Sequence, residues 1–305
     1  MSAKSEQLGQ ELEGERADEV CACCGITGVD DVKLKDCNDG CDLVKYCGDG
    51  CQENHREQHE QECKKRKAKL HDKKLFTQPD CHLGECPLCF LPLPLDPSKS
   101  LLQSCCCKII CDGCDCANQK REVEQGLEQR CAFCREPMPG SEEEADKMLM
   151  KRIKKNDPVA MTHMGEKHSR KGVYGKAFQY FTKATELGHV EAHRWLGGLY
   201  YEGDGVEKDV KKAIYHMELA AIGGHPDARI LLAGYEMENG RPDRAAKHYI
   251  IAANLGHDTS LKYIKELFVR GIVSKEDYAA ALHAHQAAVD ATKSSERDKA
   301  EALTP

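Results

Sequence analysis

The chain has 305 residues, enough for two or three domains at roughly 100–200 residues each. Hydrophobic residues make up 40% and charged residues 31%, and the sequence holds no apolar run long enough for a membrane-spanning helix. The net charge of −7, from 44 basic and 51 acidic residues, argues against a general nucleic-acid binder.

Cysteine usage is the most informative feature of the composition. All 19 cysteines lie between Cys21 and Cys134, and the 171 residues beyond have none. Such density means disulfides in a secreted chain or zinc inside the cell. Residues 1–20 are polar and acidic, without the apolar region of a secretory signal. Together with the C-x2-C and C-x3-C spacings, this favours zinc in an intracellular protein, cytoplasmic or nuclear, and not a secreted one. Two thiolates two or three residues apart grip one tetrahedral ion from a single turn.

Residues 1–20 read as a disordered lead-in, because Glu, Gln, Lys and Gly recur there without periodicity. The first block, 21–63, offers the pairs Cys21/Cys24, Cys37/Cys41, Cys47/Cys51 and His59/Cys63. Residues 52–65 are rich in Glu, Gln and Lys and should be helical, so His59 and Cys63 share one helical face. His55 competes with His59, but only His59 keeps that final pair in register; Cys23 reads as a spare thiol. The block resembles a MYND finger through Cys21-x-x-Cys24-Gly25, Tyr46-Cys47-x3-Cys51-Gln52 and His55-x3-His59-x3-Cys63. The resemblance implies that Cys21, Cys24, Cys47 and Cys51 hold one zinc, and Cys37, Cys41, His59 and Cys63 another. Two positions depart from the family pattern: the second pair has three intervening residues, and Arg56 stands where Trp is common.

Residues 64–85 read as a basic helical linker. Its run of Lys64, Lys65, Arg66, Lys67, Lys69, Lys73 and Lys74 is taken as an exposed helix end rather than a nuclear address or RNA patch.

The second block, 86–135, contains Cys86/Cys89, the cluster Cys105-Cys106-Cys107, Cys111/Cys114 and Cys131/Cys134. Order and spacing resemble a RING domain, an all-cysteine variant because Lys108 occupies the histidine position. The resemblance implies one zinc on Cys86, Cys89, Cys111 and Cys114. A second would sit on Cys105, Cys106, Cys131 and Cys134, with Cys107 open as a substitute for either of the first two. Four zinc ions in all are expected. It also implies a ubiquitin-protein ligase without a nucleophile of its own, which orients a ubiquitin-loaded conjugating enzyme. The matching positions are Leu88 and Pro137 as enzyme contacts and Arg135 as the linchpin contacting ubiquitin and enzyme. The family's Trp is missing and Ala132 replaces a usual Pro. Cys81 and Cys116 remain without a role.

Ser141 and Glu144 form a capping-box signature for a linker helix within 136–156, stopped by Asp157-Pro158. Beyond it the sequence repeats. Gly188-His189, Gly224-His225 and Gly256-His257 step by 36 and 32 residues, as do Ala177, Ala213, Ala245 and Ala184, Ala220, Ala252. Met164, Leu196, Leu232 and Ile264 keep the same register. Each unit reads as two antiparallel helices that stack into a solenoid. The histidines at the helix ends read as capping or packing residues. Leu196-Gly197, Tyr200, Gly203, Gly205, Val206, Asp209, Lys212 and Ala213 resemble Sel-one-like repeats, of the tetratricopeptide-like superfamily. That covers 157–292, with a degenerate fourth unit from Thr259 to Thr292, and implies a surface for a protein substrate or adaptor. Residues 293–305 read as a disordered tail.

The expected fold is thus two small, cross-braced, zinc-stabilised α+β fingers followed by an all-α helical-repeat solenoid. The expected function is a RING-type ubiquitin ligase that recruits substrate through its repeats. Its rival is a non-enzymatic zinc-finger and helical-repeat scaffold for protein–protein interaction.

Overall fold

The structure is a computed structural model that describes residues 21–24 and 33–303. The expected lead-in 1–20 and Gly25 of the first motif lie outside the described residues. The chain divides into two units, Met1–Leu75 and Phe76–Pro305.

In the first unit a two-residue ladder pairs β1 (Lys35–Asp36) antiparallel with β2 (Lys45–Tyr46). Cys21 bridges alongside Lys45. Helix α1 (Asp49–Leu75) follows, and of its 27 residues only His59, Cys63 and Leu75 are buried. So polar a helix has little apolar face to pack. It is held by good helix formers and by pairs such as Arg66 with Asp42 at 2.7 Å. The buried core is Cys21, Cys37, Cys41, Tyr46 and Cys63. The basic run occupies the exposed end of α1, which stops at Leu75.

Residues 76–85, expected to continue as a helical linker, do not. Pro79 lacks an N–H and pushes Gln78 toward an extended conformation. The segment instead lies along the repeats. Phe76 stacks near His248 at 4.8 Å with Arg244 and Lys247 over its face. Gln78 accepts from Asn254 at 3.1 Å, and the His82 N–H donates to the Gly224 carbonyl at 3.3 Å.

The second cysteine block forms β3 (Ser100–Leu102) and β4 (Ile109–Cys111), antiparallel, then α2 (Asp112–Glu124). Helix α3 (Glu142–Ile153) starts at Ser141, whose hydroxyl accepts the Glu144 N–H. Four antiparallel pairs follow: α4 (Pro158–Arg170) with α5 (Tyr174–Glu186), and α6 (Val190–Glu202) with α7 (Val210–Ile222). Next come α8 (Pro226–Glu238) with α9 (Pro242–Asn254), and α10 (Asp258–Val269) with α11 (Lys275–Ala291). The repeating alanines Ala177, Ala184, Ala213, Ala220, Ala245 and Ala252 are fully buried, and Leu196, Leu232 and Ile264 sit beside them in the core. Small side chains let the helices close up, while long ones fill the gaps.

The tail is not disordered throughout. Ser294 caps a short helix, α12 (Ser295–Glu301), which buries Ala300 against the second cysteine block. Seven residues contain one alanine and no large apolar side chain, so no hydrophobic period announces it.

Gly224 shows how tightly the 76–85 segment is seated. Its φ is +89° and a Cβ there would fall 1.8 Å from the Asp80 carbonyl oxygen, whereas at Gly256, also at +89°, it would meet Ala288 and Val289 at ordinary contact distances of 3.5 and 3.9 Å. Gly224→Ala should therefore displace residues 79–83 and destabilise the second unit by several times the roughly 1–2 kcal/mol of left-handed strain that Gly256→Ala brings. Denaturant unfolding of both variants checks this; equal losses would mean that the close approach carries no energy.

Candidate metal centres

The cysteine blocks present their sulfurs from tight turns and from helices, with Cys51 and Cys63 on α1 and Cys114 on α2. In the second, the Phe90 N–H donates to Cys86 O at 2.9 Å and the Cys86 N–H to Leu91 O at 3.0 Å. The same turn recurs where Arg135 N–H donates to Cys131 O at 3.0 Å and Cys131 N–H to Glu136 O at 2.8 Å. Phe90 and Arg135 take positive φ, +58° and +63°, so each knuckle closes on a left-handed residue just after its second cysteine.

Ligand-capable atoms gather within 4.8 Å of one another in four groups of this kind. Cys21, Cys24, Cys47 and Cys51 form the first, and Cys37, Cys41, His59 and Cys63 the second. Cys86, Cys89, Cys111 and Cys114 form the third, and Cys105, Cys106, Cys131 and Cys134 the fourth. In each block the first pair meets the third and the second meets the fourth. Sulfur–sulfur distances include 3.5 Å for Cys47–Cys51, 3.7 Å for Cys89–Cys111, 3.9 Å for Cys106–Cys131 and 3.3 Å for Cys105–Cys134. A tetrahedron with zinc–sulfur bonds of about 2.3 Å has edges near 3.8 Å, so the spacing suits a zinc ion and is far from a disulfide. All the cysteines are free.

The electrostatics agree with a metal-binding role. Burial pushes the Cys21 thiol up, but N–H groups of Cys24, Cys47 and Cys23 outweigh it and bring the pKa to about 6. Cys86 falls to about 7 against the same burial, through N–H groups of Cys111, Cys89 and Leu88. Burial and neighbouring sulfurs raise Cys63 to about 12: without a cation, thiolates so close repel one another. Burial, with His55 next, lowers the pKa of His59, which keeps the imidazole neutral and its nitrogen available.

His59 Nε2 lies 3.0 Å from Cys41 Sγ. His55 stacks on His59 and its Nδ1 meets the Tyr46 hydroxyl at 3.0 Å, outside the group. Cys107 also falls outside, at φ +55° and buried with Leu149, Ala160 and Met164. Cys23 is exposed, while Cys81 and Cys116 are half-buried and belong to none of the four groups.

The three positions matched to ligase contacts have internal roles. Leu88 packs against the core of its own module. Pro137 pairs with Arg130 in a backbone bridge. Arg135 donates to Glu122 at 2.7 Å and to Asn118 at 2.9 Å, tying the last knuckle to α2. Glu122 is fully buried. Burial raises its pKa, but the Arg130 N–H and Arg135 outweigh this and hold it below the usual carboxylate range.

A fifth group brings together His82, Glu191 and His225. Glu191 Oε2 lies 2.7 Å from His225 Nε2 and 3.4 Å from His82 Nε2. The imidazoles stack at 4.2 Å, only 13° from parallel. Parallel rings aim their lone pairs side by side rather than at one point, and His225 Nδ1 already accepts the Asp227 N–H. This is a hydrogen-bonded lock, not a metal centre. His82 and Glu191 are far apart in sequence, so no motif marks the pair. His225 belongs to a ladder: His189 reaches Thr162 at 2.8 Å and His257 reaches Asp227 at 3.2 Å, each in the preceding unit, while His285 reaches Asp258 at 2.9 Å within the fourth. His189, His225 and His257 thus sit between successive units.

Two families match the chain. The MYND finger matches residues 21–63, and the Sel1 repeat matches 158–189, 190–225 and 226–257. Neither match includes the second cysteine block, so RING identity has no family match behind it. A Sel1 repeat protein from Oxalobacter formigenes is a similar solved structure, at 24% identity over 57% of this chain and 70% of its own, TM-score 0.43. Another is c5321, a protective antigen of uropathogenic Escherichia coli strains with an SLR fold. It shares 19% identity over 55% of this chain and 37% of its own, TM-score 0.40. No curated protein matches. The chain therefore carries a MYND finger, then a second cysteine-rich block, then an array of Sel1 repeats.

Proposed function

We propose that this protein is an intracellular, non-enzymatic scaffold, in which the MYND finger and the Sel1 repeats each bind a protein partner. The observation that carries the reading is the pairing of two protein-interaction modules in one chain. Zinc sets the shape of both cysteine blocks, with four ions on the four groups above. Free thiols at such density fit a reducing compartment. Among the described residues no helix is long and apolar enough to cross a membrane.

The ubiquitin-ligase reading stands second, supported by the interleaved pairing of the second block. Against it, Arg135 spends its fork on Glu122 and Asn118, and a linchpin needs those donors for ubiquitin and enzyme. Purified protein incubated with ubiquitin, its activating enzyme and a panel of conjugating enzymes decides between them. The scaffold reading expects no self-modification and no thioester discharge; discharge that Leu88→Ala abolishes would install the ligase. Arg135→Ala is expected to loosen the second block and speed loss of its zinc, since Glu122 then loses its partner at 2.7 Å and keeps Arg121 at 3.9 Å. Unchanged zinc retention in that variant would release Arg135 from the structural role.

Metal analysis of gently purified protein should return four zinc ions per chain. Two or fewer would remove one of the blocks from the zinc-binding set.

A further inference from the structure

The C-terminal helix α12 reaches the third cysteine group through one side chain. Arg297 Nη1 donates to Pro92 O at 2.7 Å and to Thr292 O at 2.6 Å, while Nη2 lies 3.3 Å from Leu91 O and 3.4 Å from Cys89 Sγ. The Pro92 and Leu91 contacts fix the fork against the loop that leaves the Cys86–Cys89 knuckle, and the Thr292 contact ties it to the end of α11. The fourth places a cation on a ligand sulfur.

No carboxylate pairs with Arg297 among the described residues; its acceptors are carbonyls and that sulfur. The backbone of α12 is seated equally closely. Gly113 lies between Cys111 and Cys114, and a Cβ there would stand 2.7 Å from Arg297 N and 2.9 Å from the Glu296 carbonyl carbon. Ala300 is buried and Lys99 pairs with Glu301 at 2.8 Å. Helix and guanidinium therefore touch this group from two sides, at Cys89 and between Cys111 and Cys114.

We propose that Arg297 is an outer-shell residue of a zinc centre on Cys86, Cys89, Cys111 and Cys114, and that α12 is the cap that keeps zinc in it. This rests on the zinc reading above. Four thiolates around Zn²⁺ leave a net charge of −2, which a guanidinium seated beside them offsets. Its N–H donating to Cys89 also fixes the direction of that sulfur, and the three carbonyls hold the fork in place. Arg297 is a positioning residue: it acts on the metal through a ligand.

The test measures chelator-driven zinc release from the full chain while each cysteine's alkylation is followed by mass spectrometry. Arg297→Gln should speed labelling of Cys86, Cys89, Cys111 and Cys114 by about tenfold or more, the usual scale of an outer-shell loss. Cys105, Cys106, Cys131, Cys134 and the first-unit cysteines should keep wild-type rates. Arg297→Lys keeps the charge but loses the fork and should fall between, and the surface variant Lys299→Gln, at an exposed position of α12, should match wild type. Ala300→Glu, which unseats α12 with Arg297 intact, should give the Arg297→Gln pattern and serves if that variant does not fold. Wild-type rates in both, or equal acceleration of the fourth group, would overturn the inference. Immediate labelling of the third group in wild type without chelator would instead remove the zinc reading, and this inference with it.

Discussion

Stripping zinc with a strong chelator should unfold residues 33–75 while the repeats stay helical. The buried core of the first unit is Cys21, Cys37, Cys41, Tyr46 and Cys63, so four of its five members are themselves candidate ligands. Within that cluster Tyr46 is the one buried side chain that is not a candidate ligand, and its burial is worth about 2 kcal/mol. A structural zinc contributes on the order of 10–16 kcal/mol in small fingers. Without the ion the sulfurs also repel, as the upward push on Cys63 indicates. The repeats have their own cores, such as Ala177, Phe181, Ala184, Ala192, Leu196 and Leu199, and contain no cysteine. Amide exchange should show loss of protection across β1, β2 and α1 on chelation, with α5–α9 unchanged. Survival of the Tyr46 amide, or collapse of repeat helicity in step with zinc, would refute this division.

What could be read from the sequence follows from distance along the chain. Ligand pairs one to four residues apart are local, so spacing marks them, and the repeat register shows because buried alanines recur at fixed steps. Which of three adjacent cysteines stays out depends on the left-handed turn at Cys107 and on Leu149 and Met164 beneath it, which spacing does not encode. The partners of Arg135, Arg297 and Gly224 were equally illegible. Each is a polar or backbone contact made across the fold, where neither periodicity nor a motif singles out the residue. The expectations of a helical linker to 85 and of a tail disordered throughout failed on such contacts, at residues 76–82 and at α12.

His82 and Glu191 supply the other large effect, and it depends on pH. Burial disfavours the charged form of His82, but hydrogen bonds with Cys81 and Glu191 prevail and raise its pKa to about 9, from 6.5. Its Nδ1 faces the Gly224 carbonyl at 3.3 Å and its Nε2 faces Glu191, so both nitrogens have acceptors and the imidazolium is favoured. Burial raises Glu191, yet His225 and His82 hold it well below the usual carboxylate range. Burial lowers His225 despite Glu191; its Nδ1 accepts the Asp227 N–H, so Nε2 carries the proton it gives Glu191. His189 and Arg194 also feel or flank Glu191. The lock is therefore one cation and one anion with a neutral imidazole stacked against them. Glu191→Ala, which strands the buried His82 cation, should destabilise the second unit by about 3–5 kcal/mol near neutral pH. The wild-type contribution of His82 should be complete below pH 6.5, where folded and unfolded chains both hold the proton. It should decline as pH rises toward 9, by about 3 kcal/mol in total. Denaturant unfolding at pH 6 and pH 9 should show that slope in wild type and its absence in His82→Ala. Ionisation of the thiols other than Cys81, which interacts with His82 itself, is common to both proteins and cancels in the comparison. Equal slopes would mean that His82 is neutral in the fold. A surviving difference would identify residues 80–82, four residues before Cys86, as the charge-dependent tether between the second cysteine block and the repeats.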